Sequence, residues 1–188
     1  MLAAGGSSRL GRPKQLLPFE GEPLVRRAAR AALEAGFAPV VVVVGGHAAE
    51  VRAALAGLPV EGVENAAWQE GMAGSVRLAV ARLAAAGVRA AALLGCDQPH
   101  LGAAHLVRLE QARLASGAPV AASEYAGTRG VPAVFDAALF PELLALGGDR
   151  GAKSVIARDP SRVVGVPFPG GEVDVDHPED WERLGGGR

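Results

Sequence analysis

The residues best suited to chemistry lie in a glycine-rich segment, residues 5–14, that carries three cationic side chains. These cations are Arg9, Arg12 and Lys14. Glycine allows the backbone to turn with several N–H groups aimed into one concavity, and such concavities bind anions. Arginine can grip two phosphate oxygens at once, and lysine adds a point charge. The segment predicts a loop that holds a polyphosphate, with a solvated surface loop as the alternative.

This segment matches neither of two familiar phosphate-binding sequences. A Walker loop requires Gly, four residues, and then Gly-Lys followed by Ser or Thr. Gly6 and Gly11 have that spacing, but Arg12 stands in the lysine position. Lys14 is followed by Gln15, so the hydroxyl that binds magnesium in a Walker loop is missing. The dinucleotide pattern Gly-x-Gly-x-x-Gly is absent as well.

Three acidic residues are candidates for meeting a cation. Asp97 directly follows an apolar run, residues 88–94, and a carboxylate where a buried strand emerges is costly unless a cation meets it. Magnesium favours one or two carboxylates together with phosphate oxygens and water. Asp174 and Asp176 alternate in a short strand-like stretch, which places both on one side. The alternatives are a turn or cap role for Asp97, and capping of a helix near Pro178 for the other two.

Two further segments offer polar groups. Asn65 follows a predicted strand at residues 60–63, and its amide can both donate and accept, which suits a base or a ribose. Residues 147–151 form a second glycine-rich turn before a predicted helix, so they could hold a second anion. Ser75 begins a predicted helix, where an ordinary helical role is the alternative.

The elements that position these groups alternate between strands and helices. Helices are predicted at residues 23–36, 48–56, 74–86 and 103–116, with short ones around Glu142 and Lys153 and a last one from Pro178. Strands are predicted at residues 38–44, 60–63, 88–94, 119–123, 130–135 and 163–166, the fifth near a sheet edge because of Pro132. This order predicts one α/β domain, 1–188, a three-layer α/β/α sandwich with a mostly parallel sheet. Ligands in such sheets bind at the carboxyl ends of the strands.

Composition excludes several other classes of protein. A formal net charge of −1 over 188 residues argues against a general nucleic-acid binder, which would show a basic excess. One cysteine allows neither an internal disulfide nor a cysteine-based zinc cluster, which fits the cytoplasm. Apolar runs fall short of the roughly 18 residues of a membrane helix, so no membrane partner is expected.

Five blocks of sequence together resemble a known family. They are residues 2–18, 65–72, 95–100, 148–152 and 174–180, in the family's order. The chain is similar to the MobA-like NTP transferases, nucleotidyltransferases that make dinucleotides of the molybdenum cofactor, and most similar to the cytidylyltransferases among them. The resemblance implies a Rossmann-like fold of the nucleotide-diphospho-sugar transferase type.

The resemblance also implies roles for individual residues. The implied catalytic residues are Arg9, Lys14 and Asp97, and the implied ligands of Mg²⁺ are Asp97 and Asp176. The implied nucleotide-binding residues are Leu2, Ala3, Ala4, Gly5, Gly6, Ser7, Ser8, Arg9, Lys14, Asn65, Gly71 and Ser75. The implied acceptor-binding residues are Asp149, Arg150 and Gly151.

The implied reaction is transfer of CMP from CTP to the phosphate of a molybdopterin acceptor, with release of pyrophosphate. A molybdenum hydroxylase is the protein partner that this reaction would serve. Three alternatives stay open at this point: GTP as the donor, a sugar phosphate as the acceptor, and a carrier of the molybdenum cofactor that performs no catalysis.

Overall fold

The computed structural model describes residues 1–7, 10–175 and 177–185. The strands are β1 (Leu2–Ala3), β2 (Pro18–Phe19), β3 (Glu22–Pro23), β4 (Val40–Val44), β5 (Val60–Glu64), β6 (Ala90–Leu93), β7 (Val120–Tyr125), β8 (Thr128–Asp136) and β9 (Val163–Pro167). The helices are α1 (Leu24–Glu34), α2 (Ala48–Ala54), α3 (Met72–Ala85), α4 (Ala103–Ser116), α5 (Phe140–Leu144), α6 (Ala152–Arg158) and α7 (Pro178–Arg183). Among these helices, none combines the length and the apolar character that crossing a bilayer would require.

Most of the strands form two sheets that meet at β1. In one sheet β1, β4 and β5 are parallel neighbours in that order. The other has the order β6-β8-β7-β9, in which only β8 runs against its neighbours. The Leu2 N–H donates to Leu94 O at 2.9 Å, which places the end of β6 beside β1. The prediction of an α/β fold with a mostly parallel sheet is confirmed.

Helices cover both faces of the sheet. All five valines of β4 are buried, and their side chains alternate between the faces. Val40, Val42 and Val44 pack in one apolar cluster with residues of α1, α2 and α4. Val41 packs in another with residues of α3, α5 and α6. A run of β-branched residues therefore forms a strand with two buried faces, as in a three-layer sandwich.

The prediction that Pro132 lies near a sheet edge is wrong. It lies in β8, which pairs with β6 on one side and β7 on the other. The β7–β8 register shifts between Ala122 and Ser123, so that Val131 and Pro132 have no Cα partner on β7. Proline lacks the N–H that a ladder needs, and a bulge removes that need even in a central strand.

The segment after β9 returns to the loops at the carboxyl ends of the strands. The Val175 N–H donates to Asp97 O at 3.1 Å, which holds this segment beside the end of β6. Trp181 of α7 is 3% exposed and packs with Leu10, Leu17 and Leu24. The last helix thus covers the chain that follows the glycine-rich segment.

Candidate active site

The loops that follow β1, β4, β5 and β6 converge at one edge of the sheet. The Gly46 N–H donates to Ala4 O at 3.1 Å, which joins the loops after β1 and β4. The Asn65 N–H donates to Val44 O at 2.9 Å, which joins the loops after β4 and β5. These contacts gather the loops at the carboxyl ends of the strands, the edge at which the sequence predicts that a ligand binds.

Lys14 and Asp97, which are 83 residues apart in the chain, meet at this edge. Lys14 Nζ donates to Asp97 Oδ2 at 2.7 Å. The Lys14 side chain is 19% exposed and that of Asp97 28%, so both are largely desolvated yet open to a ligand. Partial burial strengthens such a pair relative to one in bulk water. The structure therefore brings together a cation and a carboxylate that the sequence predicts to share one site.

Ser7 and Gln15 give the glycine-rich segment its shape. Ser7 has a φ of 53°, in the left-handed region that favours glycine. Its hydroxyl accepts from the Lys14 N–H at 3.0 Å and donates to Gln15 Oε1 at 3.3 Å. Sequence reasoning missed Gln15 as a site residue. The available signal was a polar residue directly after Lys14 and before the apolar pair Leu16 and Leu17.

Trp68 packs against Gly6 of the predicted phosphate loop and against two glycines of the loop after β4. A Cβ placed on Gly6 would lie 2.5 Å from the Trp68 ring. One on Gly45 or Gly46 would lie 2.9 or 3.0 Å from the same side chain. A Cβ on Gly5, in contrast, would have no atom within 4 Å. Gly6 is thus required by packing, whereas Gly5 borders open space. Trp68 therefore packs between the loops that follow β1 and β4.

Asn65 and Ser75 are bonded to each other beneath the cleft surface. Asn65 is 4% exposed; its Nδ2 donates to Ser75 Oγ at 3.0 Å, and its Oδ1 accepts from the Ala67 N–H at 3.1 Å. An amide that bridges a turn and a helix in this way holds its own loop in place. Ser75 is buried as well, so this pair shapes the floor of the site.

The second glycine-rich turn packs against the start of α3. Gly71 has a φ of 113°, and a Cβ there would lie 2.5 Å from Gly148 O. The Ala73 N–H donates to that same oxygen at 3.0 Å. Asp149 and Arg150 are exposed beside this contact. The predicted nucleotide-binding and acceptor-binding segments are therefore direct neighbours.

A cavity of about 390 Å³ opens between these segments. It is lined by Asn65, Ala67, Glu70, Gly74, Arg77, Leu78, Ala81, Leu144 and Gly148. Its size lies within the usual range for small-molecule sites.

Three of the predicted site residues are not described by the structure, and a fourth residue, Arg12, contacts an aromatic ring. Ser8 and Arg9 of the nucleotide loop, and the predicted metal ligand Asp176, lie outside the described residues. The guanidinium of Arg12 lies 5.9 Å from the centre of the Trp181 ring, a cation–π contact.

The model of the MobA-like NTP transferase domain matches residues 1–163 of the chain. The chain belongs to the MobA-like NTP transferase family.

Two curated relatives of this MobA-like chain have names of different kinds. It is 37% identical over 198 residues to the nicotine blue oxidoreductase of Paenarthrobacter nicotinovorans, covering 98% of this chain and 94% of that protein. It is 39% identical over 121 residues to a probable molybdenum cofactor guanylyltransferase of Opitutus terrae, covering 64% of this chain and 57% of that protein.

Solved structures share the fold over nearly the whole chain. A nucleotidyl transferase from Methanothermobacter, Mth528, has a TM-score of 0.81 at 30% identity and covers 97% of this chain and 93% of its own. Rv0371c from Mycobacterium tuberculosis has a TM-score of 0.78 at 35% identity, with coverage of 97% and 94%. The same Rv0371c has been solved in complex with manganese; that structure has a TM-score of 0.74 at 33% identity, with coverage of 97% and 94%.

A divalent cation at this site would need more ligands than the described side chains of this MobA-like transferase provide. Burial raises the pKa of Tyr125, and the charges of Asp174 and Asp97 raise it further, against a hydrogen bond from Gln98. Val175, which follows Asp174, donates its N–H to Asp97 O at 3.1 Å, so Asp97 and Asp174 belong to adjacent segments. Within the described ranges no group of three or more His, Cys, Asp or Glu residues could hold a metal. A cation here would draw further ligands from phosphate oxygens, water or the segment around Asp174.

The thiol beside this site adds no charge to it. Burial, and after it the charge of Asp97, raises the pKa of Cys96 to about 12. Cys96 is therefore a neutral core residue at physiological pH, and Asp97 and Lys14 set the local field.

Proposed function

We propose that this chain transfers a nucleoside monophosphate, CMP from CTP, to the phosphate of a molybdopterin-type acceptor. The supporting observation is the 2.7 Å contact between Lys14 Nζ and Asp97 Oδ2 at the mouth of a glycine-rich loop, in a family of NTP transferases. The whole chain, 1–188, acts as one nucleotidyltransferase domain. Its product serves a molybdenum hydroxylase in the cytoplasm.

In this reaction an oxygen of the acceptor phosphate attacks the α-phosphorus of the triphosphate. The bond between the α-phosphorus and the bridging oxygen breaks, and pyrophosphate leaves with that bonding pair. An ionised phosphate needs no strong base, so catalysis depends on alignment and charge stabilisation. Lys14, together with Arg9, stabilises the charge that develops on the leaving pyrophosphate. Asp149, Arg150 and Gly151 hold the acceptor beside Gly71.

The residues present fit a magnesium ion at Asp97. Asp97 and Asp176 would hold it, and Asp174, beside the same place, is the alternative to the second. When bound, Mg²⁺ supplies neutralisation of charge on the phosphate oxygens. Asn65 and Ser75 fix the floor on which the nucleoside rests.

Pyrophosphate release tests this proposal. The protein is incubated with Mg²⁺, molybdopterin, and either CTP or GTP. We expect pyrophosphate and a dinucleotide with CTP in preference to GTP, and no product without molybdopterin. A preference for GTP would correct the donor, and release with a sugar phosphate instead would correct the acceptor. Bound molybdopterin with no pyrophosphate from any nucleotide would favour the carrier.

A second candidate is an oxidoreductase activity, favoured by the 37% identity over nearly the full chain to the nicotine blue oxidoreductase. Its test uses nicotine blue with NADH or NADPH as the reductant and follows the loss of the dye's colour. Reduction of the dye together with absence of pyrophosphate release would replace transfer by this function.

A further inference from the structure

We propose that Gln15 is a positioning residue: it fixes the phosphate loop, residues 5–14, in the shape that presents Lys14 to Asp97. The effect on turnover rests on the proposed function, whereas the effect on the loop's shape does not. Gln15 is linked to the Lys14 backbone through the Ser7 hydroxyl, so it acts on Lys14 through the shape of the loop.

Gln15 is the most deeply buried polar side chain beneath the loop. It is 1% exposed, and its Nε2 donates to Ala3 O at 3.1 Å and to Gly5 O at 2.5 Å. Its Oε1 accepts from the Ser7 hydroxyl at 3.3 Å. One side chain thus binds the end of β1 and two residues of the loop, Gly5 and Ser7. Buried polar groups that are fully paired in this way specify one backbone conformation.

The same hydrogen bonds reach Lys14 through Ser7. Ser7 adopts a positive φ, a conformation that persists only where its surroundings enforce it. Its hydroxyl joins Gln15 Oε1 to the Lys14 backbone N–H. Lys14 and Gln15 are consecutive in a short 3₁₀ turn, Lys14–Leu16. The turn sends Gln15 into the core and Lys14 toward Asp97.

Only an uncharged amide meets all three partners. Two carbonyl oxygens require N–H donors, and a hydroxyl donor requires an acceptor. Glutamate would set a carboxylate against Ala3 O and Gly5 O, and a hydrocarbon would leave both carbonyls without this donor. Methionine has nearly the same length and volume but cannot form these bonds, which makes Gln15→Met the sharpest substitution.

The first experiment is a double-mutant cycle between Gln15→Met and Lys14→Met. It measures the dissociation constant of inorganic pyrophosphate by calorimetry, and kcat and KM for CTP in the transferase assay. We expect Gln15→Met to weaken pyrophosphate binding and lower kcat/KM by about tenfold or more in the parent protein. In the Lys14→Met background, Gln15→Met should lower pyrophosphate affinity and kcat/KM by less than about twofold further. Gln111→Met, on an exposed face of α4, is the matched control.

If Gln15→Met lowered pyrophosphate affinity and kcat/KM by the same factor in the parent protein and in Lys14→Met, the proposal would be overturned. A residue that only stabilises the fold would lower both quantities whether or not Lys14 is present. Unchanged pyrophosphate affinity in Gln15→Met, in a parent that binds it, would also overturn it. If the parent protein itself bound neither pyrophosphate nor CTP, the proposed function would fail instead.

The second experiment reads the loop's shape without any substrate. Trp68 lies against Gly6, so its fluorescence senses this loop, and Trp181→Phe removes the other tryptophan. In that background we expect Gln15→Met to shift the Trp68 emission maximum and increase quenching by acrylamide, with Gln111→Met unchanged. Identical spectra from a folded Gln15→Met protein would overturn the proposal whatever the enzyme's substrate.

Discussion

Two regions of irregular backbone in this protein are held by buried polar side chains, and they differ in how they respond to protons. Beneath the phosphate loop, the amide of Gln15 binds two carbonyls and a hydroxyl. Beneath the bulge of β8, His105 Nε2 lies 2.7 Å from Ser123 Oγ, and that hydroxyl donates to Pro132 O at 2.6 Å. Gln15 satisfies backbone carbonyls directly, whereas His105 is linked to a backbone carbonyl through Ser123.

The hydrogen bonds at the bulge fix the tautomer of His105. The Ser123 hydroxyl has one proton and donates it to Pro132 O, so His105 Nε2 must be the donor to Ser123 Oγ. Nδ1 then accepts from the Arg108 guanidinium at 3.2 Å. Burial lowers the pKa of His105 to about 4, with a smaller contribution from Arg108. The site loop is thus anchored by a group that cannot titrate, and the sheet bulge by one that can.

The largest expected effect is a loss of transferase activity when the charged pair beside the phosphate loop is changed. We expect Lys14→Met and Asp97→Asn each to lower kcat by about 100- to 1000-fold, because each removes charge placed at the reacting phosphates. The stability cost should stay below about 1 kcal/mol, since the pair is only partly buried. Pyrophosphate release and urea unfolding measure the two quantities. Retention of full kcat in both variants would contradict the assigned roles.

The next largest effect is a pH dependence of the free energy of unfolding, which arises from His105 beneath the bulge of β8. His105 has a folded pKa of about 4, below its ordinary 6.5. The stability that depends on neutral His105 is complete above pH 6.5, and it is lost as the pH falls toward 4, because the unfolded chain takes up the proton first. The loss can reach about 3 kcal/mol at about 1.4 kcal/mol per pH unit.

Urea unfolding of the wild type and of His105→Gln, measured between pH 7 and pH 4, checks this expectation. The variant should show a shallower fall in the free energy of unfolding and normal transferase activity at pH 7. His100→Gln, at an exposed position, should retain the wild-type slope. If the free energy of unfolding fell with pH in parallel for the wild type and His105→Gln, protonation of His105 would not contribute to the pH dependence of stability.

A smaller effect tests the packing of the phosphate loop. Gly6→Ala should lower the free energy of unfolding by about 1–3 kcal/mol, because its Cβ would overlap the Trp68 ring. Gly5→Ala, one residue earlier with open space around the same position, should leave it within about 0.5 kcal/mol. Thermal unfolding followed by circular dichroism compares them. If both variants lost the same free energy of unfolding, the Trp68 ring would have moved to accommodate the added Cβ of Gly6→Ala.

The smallest effect concerns Arg12, which the sequence suggests as a phosphate ligand. Its contact with Trp181 predicts that Arg12→Ala costs about 0.5–1 kcal/mol of stability. We expect the KM for the nucleotide to change by less than about twofold, a difference too small for a lost phosphate contact. Steady-state kinetics and urea unfolding measure both. A KM increase of tenfold or more would return Arg12 to the phosphate site.

Much of this organisation follows from local sequence. The helix predicted at residues 103–116 is α4, with the same bounds, and the strand predicted at residues 38–44 contains β4. Periodicity and glycine stops carry that information within a short window. The placement of Lys14 and Asp97 in one cleft also follows, because the ends of neighbouring strands share one edge.

What the sequence does not reveal depends on distant partners. Gln15 becomes an anchor only because Ala3 O and Gly5 O lie above it, and Gly6 must be glycine only because Trp68 folds onto it. The sequence predicts that Pro132 lies near a sheet edge, because the residues around it do not show that β8 forms a bulge opposite Ser123. Burial and register of this kind are properties of the assembled fold.

The return of α7 to the phosphate loop has a consequence for how the protein matures. A ribosome adds Trp181 about 170 residues after Lys14, so Leu10, Leu17 and Leu24 lack their contacts with Trp181 until α7 has been made. Until that helix docks, these leucines are exposed to water and to other nascent chains. The apolar packing around the phosphate loop is therefore complete only after α7 has been made and has docked.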